Sequence, residues 1–192
     1  RFTFALAAGL GFAFPVLAAV DIKEVTSPGG IKAWLVEEHS IPFTALEIRF
    51  KGGASLDAEG KRGAINLMSG LLDEGAGDLD SRAFSAAAED LAASIRFNAS
   101  DDALSVSARF LTENRPQAVE LIRMAVNEPR FDEDAIERVR GQVLASIASD
   151  ARDPNAIAAH TFAHLAFPAD PYGTAIDGTE ESVRALTRDD LI

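Results

Sequence analysis

Two stretches near the start of the chain alternate with a period of two. Ile31, Ala33 and Leu35 run out of phase with Lys32, Trp34 and Val36, and residues 45–50 alternate cleanly through Leu46, Ile48 and Phe50. Successive side chains of a strand point to opposite faces, so this period predicts strands. Pro28-Gly29-Gly30 and Ser40-Ile41-Pro42 punctuate residues 22–56, and Gly52-Gly53 closes them. The pattern predicts two antiparallel strands around a short connection. The period then lengthens. Residues 63–72 place Ile65, Met68 or Ser69, and Leu72 on one helical face, with Leu67 and Leu71 beside it, and Gly75-Ala76-Gly77 is the expected stop. Residues 81–93 predict a second helix with Ser81 as its N-cap. Residues 94–98 and 104–110 alternate again around Asp101-Asp102, a hairpin pattern.

The second half of the chain reads mostly as helix. Residues 115–126 predict a third helix, with Asn114 at the N-cap and Pro116 near the first helical position. Residues 132–150 predict a longer, amphipathic, heavily charged helix. Residues 153–165 predict another, capped by Asp153 with Pro154 following. Residues 168–178 are rich in turn formers. Residues 186–192 start like a helix behind Thr187, yet hold only about one turn, which cannot sustain itself; the expectation is a chain that continues past Ile192. Strands and helices in blocks predict an α+β fold, an antiparallel or mixed sheet covered by helices.

Composition and charge narrow the chemistry. Apolar residues at 47% and charged residues at 25% give the balance of a globular domain. The net charge of −12 argues against a nucleic-acid partner, which needs clustered cations. The absence of Cys removes thiolate zinc sites, iron–sulfur clusters and Cys nucleophiles together. Residues 2–20 carry no charge, follow Arg1, include Pro15 and end near Val16-Leu17-Ala18-Ala19. This is the pattern of a secretory signal peptide over residues 1–19, which implies export and leaves residues 20–192 as the domain. A retained membrane anchor is the alternative, since the run just reaches spanning length.

Three histidines bound what imidazole chemistry can do: His39, His160 and His164. His160 and His164 stand four apart on one predicted helix face, a spacing used by zinc sites. The positions where a general base would stand in HExxH or HxxEH hold Thr161 and Ala163, neither of them acidic. The plainer reading is a helix that packs Phe162 and Leu165 inward and carries two His at its edge. A relocated zinc site would need a further acid such as Asp170. His39 follows Glu37 and Glu38 and reads either as part of a metal cluster or as a solvated strand end. No G-x-S-x-G elbow and no nucleotide-binding glycine motif occurs.

Several segments, in order, carry a family resemblance: GIKAWLVEEHSIP at 30–42, FKGGASLD at 50–57, GKRGA at 60–64, LDEGAG at 72–77, EPRFD at 128–132, FPADPYG at 167–173, GTEES at 178–182 and LTRDDL at 186–191. From about Val25 onward the chain resembles the first half of small bacterial members of the M16 metallopeptidase family, the pitrilysin, insulinase and mitochondrial-processing-peptidase-like proteins. Active members carry an inverted HxxEH zinc motif on the helix after the G-K-x-G turn. The resemblance places Asn66 at the first His, Ser69 at the Glu and Gly70 at the second His. The later Glu ligand, and the Glu seven residues before it, correspond to Ser146 and Val139. All metal positions are therefore replaced, and no His lies between His39 and His160 to restore them.

The resemblance implies an M16 half-domain of the non-catalytic subunit type, inactive on its own and without a cofactor in this chain. It implies a heterodimer with a zinc-bearing catalytic subunit, the two enclosing peptide substrates in the periplasm, with no stable membrane insertion after signal cleavage. An active zinc endopeptidase with a relocated site, and a stand-alone peptide-binding protein, are the alternatives.

Overall fold

The computed structural model describes residues 21–192. The expected signal peptide and its anchor alternative lie outside those residues. The described chain falls into two units, one ending at Ile41 and one spanning Pro42–Ile192. In the first, strands β1 (Ile22–Thr26) and β2 (Lys32–Val36) form an antiparallel hairpin across Pro28-Gly29-Gly30, with Ile22 opposite Val36.

The second unit is built on a three-stranded antiparallel sheet. Its strands are β3 (Phe43–Lys51), β6 (Ser94–Ala99) and β7 (Ala103–Leu111), in the order β3-β7-β6. This corrects the predicted pairing of the first two alternating stretches: β2 pairs with β1, and β3 pairs with β7 over its whole length, Phe43 opposite Leu111. Residues 22–26 give β2 a local partner across a tight turn. The nine residues of β3 match the nine of β7, and this register puts Leu46 and Ile48 on the face that carries Val106, Ala108 and Phe110. The β6–β7 hairpin stands where its alternation predicted it.

Helices cover one face of the sheet. Helix α2 (Ser81–Asp90) follows a two-residue hairpin, β4 (Gly75–Ala76) and β5 (Leu79–Asp80), and α3 (Arg115–Asn127) follows β7. Ala118 and Ile122 of α3 pack on Val106 and Phe110, while Phe84 of α2 packs with Leu121 and Ala125. The cap of α2 is Asp80 rather than Ser81: its carboxylate accepts from Ala83 N–H at 2.8 Å, and the Ser81 hydroxyl donates to Glu74. Asn114 occupies the N-cap of α3 but caps nothing, because its amide donates instead to the Leu91 carbonyl at 3.0 Å.

A second layer of the core joins α1 (Ala64–Ser69), α4 (Glu133–Asp150) and the end of the chain. Leu67, Leu71 and Leu72 meet Ile136, Val139, Leu186 and Leu191 there. The buried side of α1 is thus the Leu67–Leu71 side, with Ile65 and Met68 half-buried, and the helix ends at Ser69, well before Gly75. Helix α6 (Glu180–Ala185) was not foreseen in the sequence pattern; Arg140 of α4 is buried and donates to its Val183 carbonyl.

Helix α5 (Pro154–Ala166) corrects another expectation. Asp153 caps it as predicted, accepting from Asn155 N–H at 2.8 Å, but none of its residues is buried. Phe162 is 72% exposed and Leu165 74%. The half-buried positions are Ala156 and Ala163, two turns apart, so the helix offers alanines to its neighbours and turns its large apolar side chains away. The chain closes on a 3₁₀ turn, Arg188–Leu191, where Asp190 accepts from the N–H of Thr187 at 2.7 Å. Among the described residues no helix is long and apolar enough to cross a membrane.

Candidate functional site

The site is built around the N-terminus of α1. Helix α1 begins behind Gly63, which has no side chain to cap it, so Asp57 does so from outside the helix. Its two carboxylate oxygens accept from Gly63 N–H at 2.8 Å and Ile65 N–H at 3.0 Å. Arg62 binds Asp57 and Asp101 at 3.7 and 3.0 Å. Its guanidinium also donates to the carbonyls of Ala54, Pro171, Thr174 and Ala175. One side chain thus ties the 54–57 turn, the β6–β7 hairpin and the 171–175 segment to the start of α1.

The following loop crosses directly over that start. A Cβ on Gly63 would lie 2.6 Å from the Asp177 carbonyl oxygen, and one on Gly178 would lie 2.2 Å from that of Arg62. Both glycines have positive φ, 98° and 81°, so side chains are excluded there by space and by backbone conformation. This approach delivers Asp177 to Asn66, whose amide donates to the Asp177 carboxylate at 2.9 Å. Burial, and then the nearby charge of Asp150, hold the Asp177 carboxyl above the usual carboxylate range, with His160 opposing.

The resemblance compares Asn66, Ser69 and Gly70 with a zinc motif, and none of the three is free to act as one. Asn66 is engaged by Asp177. The buried Ser69 hydroxyl donates back to the Asn66 carbonyl at 2.8 Å. Gly70 is exposed, and a Cβ on it would stand 3.1 Å from Val139 Cγ1, so a side chain there crowds α4 and Val139 would have to give by a few tenths of an ångström. Val139 is itself core, 5% exposed beside Ile136, and Ser146 lies exposed on the same helix. Zinc takes imidazole, thiolate or carboxylate donors, three of them in a catalytic site. An amide, a hydroxyl, a glycine, a valine and a serine do not fit that ion.

The other candidates are dispersed. His160 and His164 are exposed along α5, while Asp170 accepts from Tyr172 N–H at 3.0 Å and caps the Pro171–Gly173 turn. Glu37 pairs with Lys23 and Glu38 accepts from Ser40 N–H, so the acids beside His39 serve local structure. Among the described residues no three His, Cys, Asp or Glu come together as a metal group. Sequence reasoning missed Arg62 and Asp177. Their signal was only the turn formers around each, and their roles depend on contacts more than a hundred residues apart.

The profile of the insulinase family, peptidase family M16, matches residues 33–180. The chain belongs to that family. It is 29% identical over 155 residues to a non-peptidase homolog, YmxG, of Helicobacter pylori, which covers 81% of this chain and 36% of that protein. It is 20% identical over 176 residues to a probable mitochondrial-processing peptidase subunit beta of Arabidopsis thaliana, covering 92% of this chain and 33% of that one. The crystal structure of a peptidase M16 inactive domain from Pseudomonas fluorescens superposes with a TM-score of 0.84 at 26% identity, over 90% of this chain and 42% of its own. The chain spans about a third of the length of the curated M16 relatives it matches.

Proposed function

We propose that the protein is a non-catalytic M16 subunit that pairs with a zinc-bearing catalytic subunit and helps it enclose and hold peptide substrates in the periplasm. The observation that carries this reading is the donor set along α1. Asn66 is committed to Asp177, the buried Ser69 hydroxyl to the Asn66 carbonyl, and a side chain at the C-cap Gly70 would crowd Val139. Without carboxylate or imidazole donors no ion is held to lower the pKa of a water, and without an acid at Ser69 no base takes its proton. The fold around that helix matches that of an inactive M16 domain, which supports a role in holding a peptide or a partner.

The relatives support the same direction. One is named a non-peptidase homolog, another an inactive domain, and a third a subunit of a processing peptidase. The periplasmic location draws on the signal-peptide pattern of residues 1–19.

The test is to purify the full-length protein alone and together with an HxxEH-bearing family member encoded beside it. Zinc content and peptide cleavage are then measured on each. The isolated protein is expected to hold no stoichiometric zinc and cleave nothing, whereas the pair carries one zinc and cleaves. Zinc and cleavage in the isolated chain would overturn the reading. Peptide binding without pair formation would replace it with a stand-alone peptide-holding role.

A further inference from the structure

The outer face of the sheet carries charge opposite to that of the chain. The protein has a net charge of −12. Alternation turns Glu47, Arg49 and Lys51 of β3, Arg96 of β6 and Arg109 of β7 away from the helices. Four cations therefore face one carboxylate, and all four are exposed. Glu47 accepts from the Ser107 hydroxyl, and none of the four cations forms an ion pair among the described residues. The carboxylates at the hairpin end are already engaged, Asp101 by Arg62 and Asp102 by the Tyr172 hydroxyl.

Placement makes this more than a solvated surface. Arg96 lies opposite Ser107, so Arg96 and Arg109 are diagonal neighbours on adjacent strands, about 7–8 Å apart. Glu47, opposite Ser107 on the other side, is the one carboxylate beside them, so the face keeps an excess of positive charge. Arg109 is held over the Phe43 ring, 5.6 Å from its centroid. Between them opens a shallow depression of about 360 Å³ bordered by Ala45, Glu47, Ser94, Arg96, Ser107 and Arg109. Arg49 and Lys51 continue the positive field along β3 at a spacing of about 7 Å, the spacing of alternate side chains in an extended peptide.

We propose that this sheet face binds an acidic polypeptide segment in extended conformation, with Arg96 and Arg109 taking its carboxylates. Guanidinium groups grip carboxylates bidentately, which suits a site that must choose by charge and geometry. The segment is short. Screening confines the attraction to about 8 Å at physiological salt, and a long polyanion would run onto the acidic remainder of the protein. The inference deepens the substrate-holding role proposed above by naming the class of peptide held, yet it is measured without a partner subunit.

Three fluorescent decapeptides serve as probes, alternating Ala with Glu, Lys or Ser, together with a single-stranded oligonucleotide. Anisotropy is read with the full-length protein at 50 and 300 mM salt. The Glu peptide is expected to bind at least tenfold more tightly than the other two peptides and to weaken with salt. Arg96→Glu with Arg109→Glu removes at least tenfold of that affinity, and the milder Arg96→Gln with Arg109→Gln acts in the same direction if the reversal lowers the melting temperature. Arg152→Glu, an exposed charge outside the sheet, leaves it unchanged. Equal binding of Glu and Lys peptides, indifference to the paired substitutions, or tighter binding of the oligonucleotide would each overturn the proposal. Loss of pairing with a zinc subunit leaves this measurement untouched, so the two readings fail separately.

Discussion

Rebuilding the zinc motif on α1 puts the closed site to a direct trial: Asn66→His, Ser69→Glu and Gly70→His in one chain. Each change has a structural cost. A side chain at the exposed Gly70 begins 3.1 Å from Val139 Cγ1, so the valine must give by a few tenths of an ångström, at the low end of the about 1–3 kcal/mol that overpacking costs. Histidine at Asn66 removes the 2.9 Å amide bond to Asp177, leaving a half-buried acceptor unmet at about 1–3 kcal/mol. Glutamate at Ser69 carries a carboxyl into a position 5% exposed, about 1–3 kcal/mol even when protonated. The three sites touch, so the terms do not add cleanly, and the expected total is roughly 3–6 kcal/mol. That is a large part of the 5–15 kcal/mol typical of a domain. Zinc would return little, because Ser146, which the resemblance sets at the third ligand, supplies no donor of the kind zinc takes. Urea unfolding with and without zinc is the assay, with metal content measured on the same samples. The triple variant is expected to unfold at a clearly lower midpoint that zinc does not restore. A variant as stable as the parent, or one that gains about 2.7 kcal/mol from zinc at a hundred times its dissociation constant, would refute the argument.

Other consequences follow from the same contacts. Leu67→Ala removes a fully buried side chain between α1 and α4 and should cost about 3–5 kcal/mol by urea unfolding. Arg62→Leu leaves the buried Asp57 and several carbonyls without their cation and should cost about 3–5 kcal/mol, with hydrogen exchange rising first in residues 171–178. Asp177 has its folded pKa raised, so its contribution to stability is present at low pH and lost as pH rises through the folded value. Asp177→Asn should accordingly stabilise the protein at pH 7, and unfolding midpoints measured down to about pH 4 should show that gain shrinking. Asp190 is opposite in sign: Lys61 first, then the N–H and hydroxyl of Thr187, hold its carboxyl down at about 2. Its contribution is present above the ordinary carboxylate range and lost as pH falls toward 2, which carbon-detected NMR titration of its carboxyl can follow.

Most elements were legible because they rest on local periodicity. The β6–β7 hairpin, α3, α4 and α5 stand within a residue or two of where alternation and capping put them. Misreadings came where partners are distant. The strand formed by residues 43–51 alternates plainly, but only the facing apolar set on residues 103–111 decides its neighbour. Helix α5 reads as amphipathic enough to bury Phe162 and Leu165, yet the surface it meets accommodates alanines. Ser81 looks like a cap, and Asp80 one residue earlier takes the position because its carboxylate reaches Ala83. Helix α6 has six residues, too few for a periodic signal, and is held by its Thr179–Ser182 capping box, the buried Val183 and the bond from Arg140.

The sequence by itself settled which donors are missing: a chain with three histidines, none between residues 39 and 160, has no imidazole to place on α1. That conclusion needs only a count, since no fold can supply side chains the chain lacks. Only the tertiary structure decided what stands in their place. Asn66 meets Asp177 and Gly70 meets Val139 because the 174–178 loop and α4 converge on α1 from far along the chain. Likewise the basic sheet face exists only once β3, β6 and β7 are in register, bringing Arg49, Arg96 and Arg109 to one side of an otherwise acidic protein.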